Sequence, residues 1–264
     1  MIASPPLNLL IDGPCDGTWN MALDEALLEE AAEHQRCFWR FYQWQHPTLS
    51  LGYFQLAEQR TEHTPSARCP MVRRLTGGGA ILHDVELTYS LVVPASHSLA
   101  QQREHLYHTV HQSLIDTLAA EWHTTADLCP AKATSPTQAE PFLCFQRRAP
   151  GDVLIDGAKI AGSAQRRRQG AILQHGSVLL ETSPRAPELP GIGELTGRKI
   201  HPDALRDAWL ALLRQRLAER WEPAQMADST RLRAGELTFG KYAAESWTRW
   251  RNRPPKTPAR ASDR

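Results

Sequence analysis

A run of three glycines between charged and apolar residues is the most unusual segment of this chain. It lies within residues 73–84, whose sequence is RRLTGGGAILHD. Glycines between two strands let the backbone approach a ligand closely, and their N–H groups can face an anion or a carbonyl oxygen. No Gly-Lys-Ser or Gly-Lys-Thr follows, so the segment is not a nucleotide-binding P-loop. We predict a ligand-binding loop, because a two-residue turn rarely needs three glycines beside two arginines.

Cys144 and Lys159 are a second pair of residues that could do chemistry. On its own, Cys144 in the sequence PFLCF is typical of a small buried apolar residue, and Lys159 of an exposed residue on an edge strand. Alternation along a strand places on one face Lys159, Ala161 and Ser163, and on the other Ala158, Ile160 and Gly162. If Lys159 faces Cys144, its positive charge would favour the thiolate and lower the thiol pKa. That pairing would make Cys144 a nucleophile.

Two further sets of polar residues give weaker indications of function. Three histidines on a predicted helix are spread over about 120° of its surface, which is too wide for one tight metal site. They are His105, His108 and His111, and we interpret them as a solvated helix face. Five arginines surround the candidate pair in the sequence and fit either a solvated turn or a docking patch for an acidic protein partner. They are Arg147, Arg148, Arg166, Arg167 and Arg168.

The charge balance and composition exclude several classes of protein. The chain has 264 residues, with 30 lysines and arginines against 29 acidic residues and a formal net charge of +1. Such a balance gives no global field for wrapping nucleic acid. No apolar run approaches the roughly 18–20 residues of a membrane span, and no signal peptide is evident. We therefore expect no membrane association and a cytoplasmic protein. Five cysteines without a C-x-x-C pair are expected to be free thiols.

Helices are indicated at four places, the first of them after Thr18, where the apolar residues from Ala22 to Ala31 share one face. Apolar residues four apart from Leu106 to Trp122 predict a long helix, and Pro202 begins another with one apolar face. A last short helix is expected over 242–251. Beyond it, residues 252–264 carry three prolines, several basic side chains and no apolar cluster, which predicts a basic, disordered tail.

Strand and turn signals alternate irregularly with these helices. Residues 86–93 alternate between polar and apolar types, which predicts a half-buried strand. Asp156-Gly157 between two apolar runs predicts a hairpin with a type I′ turn, and 131–140 is expected to be a surface loop. Because there is no regular β-α-β order, we predict the α+β class, with a mainly antiparallel or mixed sheet flanked by helices, in a single domain over 1–251.

Several segments together resemble one known family, that of the biotin and lipoate protein ligases, within it the lipoate–protein ligases and octanoyltransferases. The segments are residues 20–24 (NMALD), 73–84 (RRLTGGGAILHD) with 86–90 (ELTYS), 157–165 (GAKIAGSAQ), 174–177 (QHGS), Lys241-Tyr242 and Trp247. The resemblance spans about residues 7–251 and implies a biotin/lipoate-protein-ligase-like catalytic domain. Cys144 precedes the lysine of the Gly-x-Lys block by a short stretch, as in octanoyltransferases of the LipM type, which the sequence resembles most.

This resemblance implies a mechanism and a set of roles. Cys144 would attack octanoyl-acyl carrier protein to give an octanoyl-thioester enzyme, with Lys159 supporting the thiolate. The lysine of a lipoyl domain, in the glycine cleavage H protein or a 2-oxoacid dehydrogenase E2, would then take the acyl group. Substrate-binding roles are implied for Arg74, Gly77, Gly78, Gly79, His83, Gly162, Ser163, Ala164 and His175. Backbone N–H groups of 162–164 would hold the oxyanion, and no metal or cofactor is required.

Three alternatives stay open on the sequence. An ATP-dependent lipoate–protein ligase would form an acyl-adenylate with Lys159 near the phosphate. An octanoyl amidotransferase acting between lipoyl domains would also use a cysteine and would differ only in its acyl donor. A non-catalytic binding module would keep the pocket without turnover, but it would have no reason to keep Cys144 and Lys159 at this spacing.

Overall fold

The computed structural model describes residues 5–130, 141–217 and 219–251, so the predicted loop over 131–140 and the predicted tail over 252–264 lie outside it. The strands are β1 (Leu7–Cys15), β2 (Cys37–Trp44), β3 (Thr48–Leu51), β4 (Met71–Arg73), β5 (Ile81–His83), β6 (Glu86–Pro94), β7 (Asp127–Leu128), β8 (Val153–Ile155), β9 (Ala158–Arg168), β10 (Ala171–Leu179) and β11 (Trp221–Pro223). The helices are α1 (Gly17–His34), α2 (Ser98–Gln101), α3 (Arg103–Trp122), α4 (Ile192–Thr196), α5 (Pro202–Leu217), α6 (Asp228–Leu237) and α7 (Glu245–Thr248). The predicted long helix and the helix beginning at Pro202 are confirmed as α3 and α5.

The sheet topology is mixed and mainly antiparallel. Within the described residues, eight strands form one sheet in the order β11-β1-β2-β6-β10-β9-β8-β7. β1 runs parallel to both β2 and β11, and the other neighbouring pairs are antiparallel. A smaller sheet has the order β4-β3-β5. The predicted α+β class, with a mainly antiparallel or mixed sheet flanked by helices, is confirmed.

Helices cover both faces of the large sheet. Alternate residues of β2 point to opposite sides, so Trp39 and Phe41 join the core beneath α3 and α5, whereas Phe38 and Tyr42 join the core beneath α1. A third apolar cluster packs the small sheet against the segment around Cys144, which begins a short 3₁₀ turn. The candidate nucleophile is therefore attached to the core and not to a free loop.

Strand β6 is completely buried, although its alternation predicted a half-buried strand. Its apolar residues face α3 and α5, and the polar residues between them find partners on the opposite side. Trp44 Nε1 donates to Thr88 Oγ1 at 2.9 Å, and Ser90 Oγ donates to the Asp24 carboxylate at 2.9 Å. The half-buried prediction was wrong because α1 covers the second face, so the polar residues mark a hydrogen-bonded interior.

The hairpin of β8 and β9 forms at the predicted turn. Asp156 and Gly157 both have a positive φ, 48° and 78°, as a type I′ turn requires. The next hairpin, between β9 and β10, turns at Gln169 and Gly170 with φ values of 50° and 85°. The two tight turns align β8, β9 and β10 as antiparallel neighbours and present the middle of β9 to the cavity described below.

A β-bulge in β9 changes which side chains share a face. Consecutive residues of β8 pair with Ala161 and Lys159, which leaves Ile160 without a partner. Ile160 and Ala161 both join the core on the α3 side. Gly162 in turn lies on the side of Lys159, since a Cβ added to it would be 2.5 Å from Lys159 Cε. The predicted alternation over 158–163 holds as far as Ile160 and is wrong from Ala161 onward, because the bulge shifts the period by one residue.

The C-terminal part contains a helix that the sequence analysis missed. α6 precedes the helix expected over 242–251, where the structure has a π-helical turn (Thr238–Tyr242) and then the short α7. Ala234 and Leu237 of α6 pack into the core around α1, and Thr230 hydrogen-bonds Glu30 of α1. Tertiary contacts stabilise this helix, which has too few apolar residues to show a clear period.

Substituting Gly157 tests the type I′ turn. Gly157→Ala is expected to lower the free energy of unfolding by about 1–2 kcal/mol, because alanine is strained at a φ of 78°. Gly235→Ala is the matched control, since the described residues place nothing within 4 Å of a Cβ there and the site is helical. It is expected to raise stability by about 0.5–1 kcal/mol. Urea unfolding measures both variants, and an unchanged Gly157→Ala protein would contradict the argument.

Candidate active site

A cavity of about 280 Å³ lies beside the glycine-rich loop. Ten of the eleven predicted site residues line it, namely Arg74, Gly77, Gly78, His83, Cys144, Lys159, Gly162, Ser163, Ala164 and His175. Gly79 is not among the lining residues. Met21, Tyr42 and Phe145 add apolar surface; Met21 and Tyr42 are buried, whereas Ala149 on the same wall is exposed. The cavity therefore extends from the core to the surface, and its mainly apolar wall suits a short acyl chain.

Backbone contacts hold the glycine loop against Cys144. Cys144 N donates to Ala80 O at 2.7 Å. A Cβ on Gly79 would lie 3.1 Å from Cys144 Cα, so a side chain there would press on the segment that carries the sulfur. Gly52, which follows β3, approaches the loop from the other side, and a Cβ on it would lie 2.0 Å from Gly78 O. The sequence analysis missed Gly52, because its role depends on a contact between distant segments.

Arg74 braces the glycine loop from inside. Its Nη2 donates to the carbonyl oxygens of Gly77 and Gly79, both at 2.7 Å, and its Nη1 donates to Ser50 O at 2.9 Å. Its Nε donates to Thr76 Oγ1 at 3.1 Å. Burial lowers the pKa of Arg74 to about 10, which leaves it cationic at neutral pH. The guanidinium thus donates its hydrogen bonds to the chain itself and shapes the loop that lines the cavity.

Lys159 faces Cys144, as the predicted pairing required. Its Nζ lies 3.7 Å from Cys144 Sγ and 2.8 Å from Asp152 Oδ2. The ammonium also lies 5.2 Å from the centre of the Phe145 ring, a cation–π contact. The side chains of Lys159 and Asp152 are only 4% and 2% exposed. A buried ammonium therefore stands between a thiol and a carboxylate.

Asp152 is a site residue that the sequence analysis missed. Besides the Lys159 ammonium, its carboxylate accepts from Ala149 N at 2.7 Å and from the Tyr107 hydroxyl at 3.1 Å. Burial, and next the charge of Asp152, raise the pKa of Tyr107, which keeps its hydroxyl protonated and donating. Asp152 directly precedes β8, where an ordinary turn aspartate is common, so no local pattern distinguishes it.

The two predicted histidines of the cavity wall are both tied to carboxylates. His83 Nδ1 lies 2.6 Å from Glu86 Oε1, and its ring stacks on Trp44 at 3.8 Å between centroids. Burial lowers the pKa of His83, so its ring is neutral at neutral pH. His175 Nδ1 lies 3.0 Å from Asp24 Oδ2, and its Nε2 lies 2.6 Å from Thr76 Oγ1. Both rings are held in one orientation against the cavity.

His111 is buried, so the interpretation of the three helix histidines as a solvated face was wrong for this member. Its Nδ1 lies 2.6 Å from Gly151 O, and because a carbonyl only accepts, Nδ1 carries the proton. Its Nε2 then accepts from Ser163 Oγ at 2.6 Å, and that hydroxyl accepts from Tyr89 at 2.6 Å. Burial lowers the pKa of His111 to about 4, which agrees with a neutral ring. His105 is exposed, as expected.

The other cysteines are less suited to reaction than Cys144. All five are free thiols, and Cys37, Cys69 and Cys129 are buried. Burial raises the pKa of the Cys15 and Cys69 thiols, and it raises that of Cys37 to about 12. Cys144 is partly exposed and lines the cavity. Of these thiols, it is the one with both access and an adjacent ammonium.

The structure also bears on the predicted arginine patch, on metal binding and on membrane spans. Arg168 pairs with Glu25 at 2.7 Å, and the Arg166 guanidinium lies 4.8 Å from the Tyr53 ring centre, so these two arginines have partners within the chain. In the described ranges, no group of three or more His, Cys, Asp or Glu side chains is placed to hold a metal ion. Of the helices in the described parts, none has the length and apolar character to cross a membrane.

The fold and the cavity together can support acyl transfer: a thiol beside an ammonium can form and release a thioester. A family model described as the lipoyl protein ligase A/B catalytic domain matches residues 16–189, and the chain belongs to this family. Octanoyltransferase LipM from Geobacillus kaustophilus is 32% identical over 89% of this chain and 95% of that protein. Octanoyltransferase LipM from Bacillus anthracis is 31% identical over the same shares. These relatives confirm the predicted family and the prediction of an octanoyl-transferring enzyme.

Solved structures with the same fold have lower sequence identity to this chain than the octanoyltransferases do. The bipartite lipoate protein ligase of Thermoplasma acidophilum superposes with a TM-score of 0.73 at 21% identity, covering 96% of this chain and all of that one. LipL1 of P. falciparum, solved with lipoate, gives 0.67 at 13% identity over 94% of this chain and 75% of that one. The predicted lipoate-ligase-like fold is confirmed.

The buried neutral His111 is expected to make stability depend on pH. In the unfolded chain its pKa returns to about 6.5, so between that value and about 4 the unfolded state binds more protons than the folded one. Stability is therefore lost as the pH falls through this window. The contribution of His111 amounts to about 2 kcal/mol between pH 7 and pH 5.

The measurement is urea unfolding of the wild-type protein and of His111→Gln at both pH values. Glutamine keeps one donor and one acceptor but does not titrate, so the variant is expected to lose about 2 kcal/mol less than the wild type. His105→Gln, on the exposed side of α3, is the matched control and should behave like the wild type. Equal losses in wild type and His111→Gln would show that His111 does not carry the effect.

Proposed function

We propose that this chain moves an octanoyl group from octanoyl-acyl carrier protein to the lysine of a lipoyl domain, through a thioester on Cys144. The acceptor is the lipoyl domain of a glycine cleavage H protein or of a 2-oxoacid dehydrogenase E2. One observation carries the proposal: Cys144 Sγ lies 3.7 Å from the buried Lys159 ammonium on the wall of the cavity. An enzyme that activates a free acid with ATP has no need of a nucleophilic thiol at this position.

In the first half-reaction, the Cys144 thiolate attacks the carbonyl carbon of the carrier thioester. The C–S bond to Cys144 forms, the C–S bond to the carrier breaks, and the departing carrier thiolate takes a proton from water. Lys159 stabilises the attacking thiolate by its charge. Backbone N–H groups of 162–164 hold the negative oxygen of the tetrahedral intermediate.

In the second half-reaction, the neutral amine of the acceptor lysine attacks the same carbonyl carbon. The C–N bond forms, the C–S bond breaks with its electron pair returning to the Cys144 sulfur, and the surplus proton on nitrogen goes to water. Thioester exchange is nearly neutral in free energy, and conversion of a thioester into an amide is favourable. The two steps together consume no ATP and regenerate the thiolate beside Lys159.

The octanoyl chain lies in the apolar part of the cavity. Met21 and Tyr42 are buried lining residues, and the neutral His83 ring stacked on Trp44 adds a flat wall. Because burial lowers the pKa of His83, the chain meets no positive charge from this ring. The glycine loop borders the same space, where a side chain would reduce the room for the acyl group.

Intact-protein mass spectrometry with octanoyl-acyl carrier protein, in the absence of ATP, tests the proposal. We expect one octanoyl adduct on the wild-type protein and its transfer to an added lipoyl domain. Cys144→Ala should form no adduct, and Lys159→Gln should form it about a hundredfold more slowly, in the range found for loss of one preorganised electrostatic contact. Cys15→Ala, which removes the other partly exposed thiol, is the matched control and should react as the wild type does.

Two results would contradict the proposal. Modification of the lipoyl domain only when octanoate or lipoate and ATP are supplied would make the chain a ligase. Adduct formation from an octanoylated lipoyl domain but not from the acyl carrier protein would make it an amidotransferase, with the same thioester on Cys144.

A further inference from the structure

We propose that Asp152 is a positioning residue that keeps Lys159 charged and aimed at the Cys144 sulfur while that sulfur carries the acyl group. The inference rests on the thioester route proposed above and adds a third residue to the Cys144–Lys159 pair. It concerns the interval between the two half-reactions, when the sulfur is uncharged.

The Lys159 ammonium has two neighbours of negative charge only while Cys144 is a thiolate. Nζ lies 2.8 Å from Asp152 Oδ2 and 3.7 Å from Cys144 Sγ. Once the sulfur is acylated, Asp152 is the carboxylate left in contact with an ammonium that is 4% exposed. A buried ammonium without a partner loses its proton, because desolvation disfavours the charged form.

The charge on Lys159 matters most when the thioester breaks. In that step the electron pair of the C–S bond returns to Cys144 Sγ, and a negative charge develops on the sulfur. An ammonium already in place at 3.7 Å stabilises that charge without any rearrangement. A neutral Lys159 would leave the departing thiolate unassisted, and transfer to the acceptor amine would slow.

The surroundings of Asp152 fix the orientation of its carboxylate. Ala149 N donates to the same oxygen that binds Lys159, and Tyr107 donates to the other oxygen. The nearby imidazole of His111 is neutral, since burial lowers its pKa to about 4. Arg74 adds positive charge on the sulfur side, where it sits under the glycine loop. Asp152 thus has donors on both oxygens, and Lys159 is its direct cationic partner.

The charge state of Lys159 can be read directly, because the chain has only five lysines. The protein is labelled with ¹³Cε-lysine, and Cys144 is capped with iodoacetamide, which leaves a neutral sulfur in place of the acyl thioester. NMR then follows the Cε resonance of Lys159, identified by its absence in Lys159→Arg, as the pH rises. We expect the capped Asp152→Asn protein to lose the Lys159 charge at a pH at least about one unit below the capped wild type.

The same variants are then tested in single turnover. Asp152→Asn is expected to slow transfer from the isolated octanoyl-enzyme to a lipoyl domain by about tenfold or more, and adduct formation by less. Asp152→Glu should recover part of the rate, because it restores the charge. Tyr107→Phe, which removes one hydrogen bond to the carboxylate but leaves the charge, is the matched control and should keep the wild-type Lys159 titration.

The outcomes separate this inference from the proposed function. An unchanged Lys159 titration in Asp152→Asn, or equal slowing of both half-reactions, overturns the role of Asp152 whether or not octanoyl transfer occurs. Absence of the octanoyl adduct in the wild-type protein overturns the proposed function, while the capped-protein titration still decides the charge-keeping role. Should Asp152→Asn not fold, Asp152→Ser, whose hydroxyl can accept from Ala149 N, makes the same comparison.

Discussion

The centre of this fold depends on the hydrogen bonds and the ion pair made by the buried carboxylate of Asp24. It accepts from Arg40 Nη1 at 3.0 Å, Ser90 Oγ at 2.9 Å and Tyr42 OH at 3.1 Å, and it lies 3.0 Å from His175 Nδ1. These partners come from β2, β6 and β10, while Asp24 belongs to α1. Burial alone would raise the pKa of Asp24, but the His175 hydrogen bond and the Arg40 charge outweigh it and hold the pKa low. Loss of the Arg40 charge would leave the buried Asp24 carboxylate without its guanidinium partner, at a cost of about 3–5 kcal/mol.

The same carboxylate reaches the cavity through a chain of hydrogen bonds with one polarity. His175 donates from Nδ1 to Asp24, because a carboxylate only accepts, and its Nε2 accepts from Thr76. Thr76 accepts from Arg74, whose other donors hold the carbonyl oxygens of the glycine loop. The position of the loop is thus coupled to the packing of α1 on the sheet. This explains how a loop rich in glycine keeps one conformation.

The features that could be predicted from the sequence are those that depend on local chain geometry. The Asp156-Gly157 turn, the long α3 and the Cys144–Lys159 pairing follow from residue types and spacing, together with the family resemblance. The bulge at Ile160 could not be read, because it arises from pairing with β8 and has no local signal. His111 was misinterpreted as solvated and Asp152 was missed for a related reason: each is defined by partners from distant segments.

The sensitivity of the site to substitution is determined by the contacts that position Cys144 and Lys159. The Cys144 sulfur is placed by the bond from Cys144 N to Ala80, and the Lys159 ammonium by the bulged strand and by Asp152. These contacts come from different segments of the chain, so a displacement of either segment changes the 3.7 Å separation directly. Inside a buried site the interaction between the two charges falls with distance and is little screened by water. Small shifts in the glycine loop or the hairpin therefore change the stability of the thiolate.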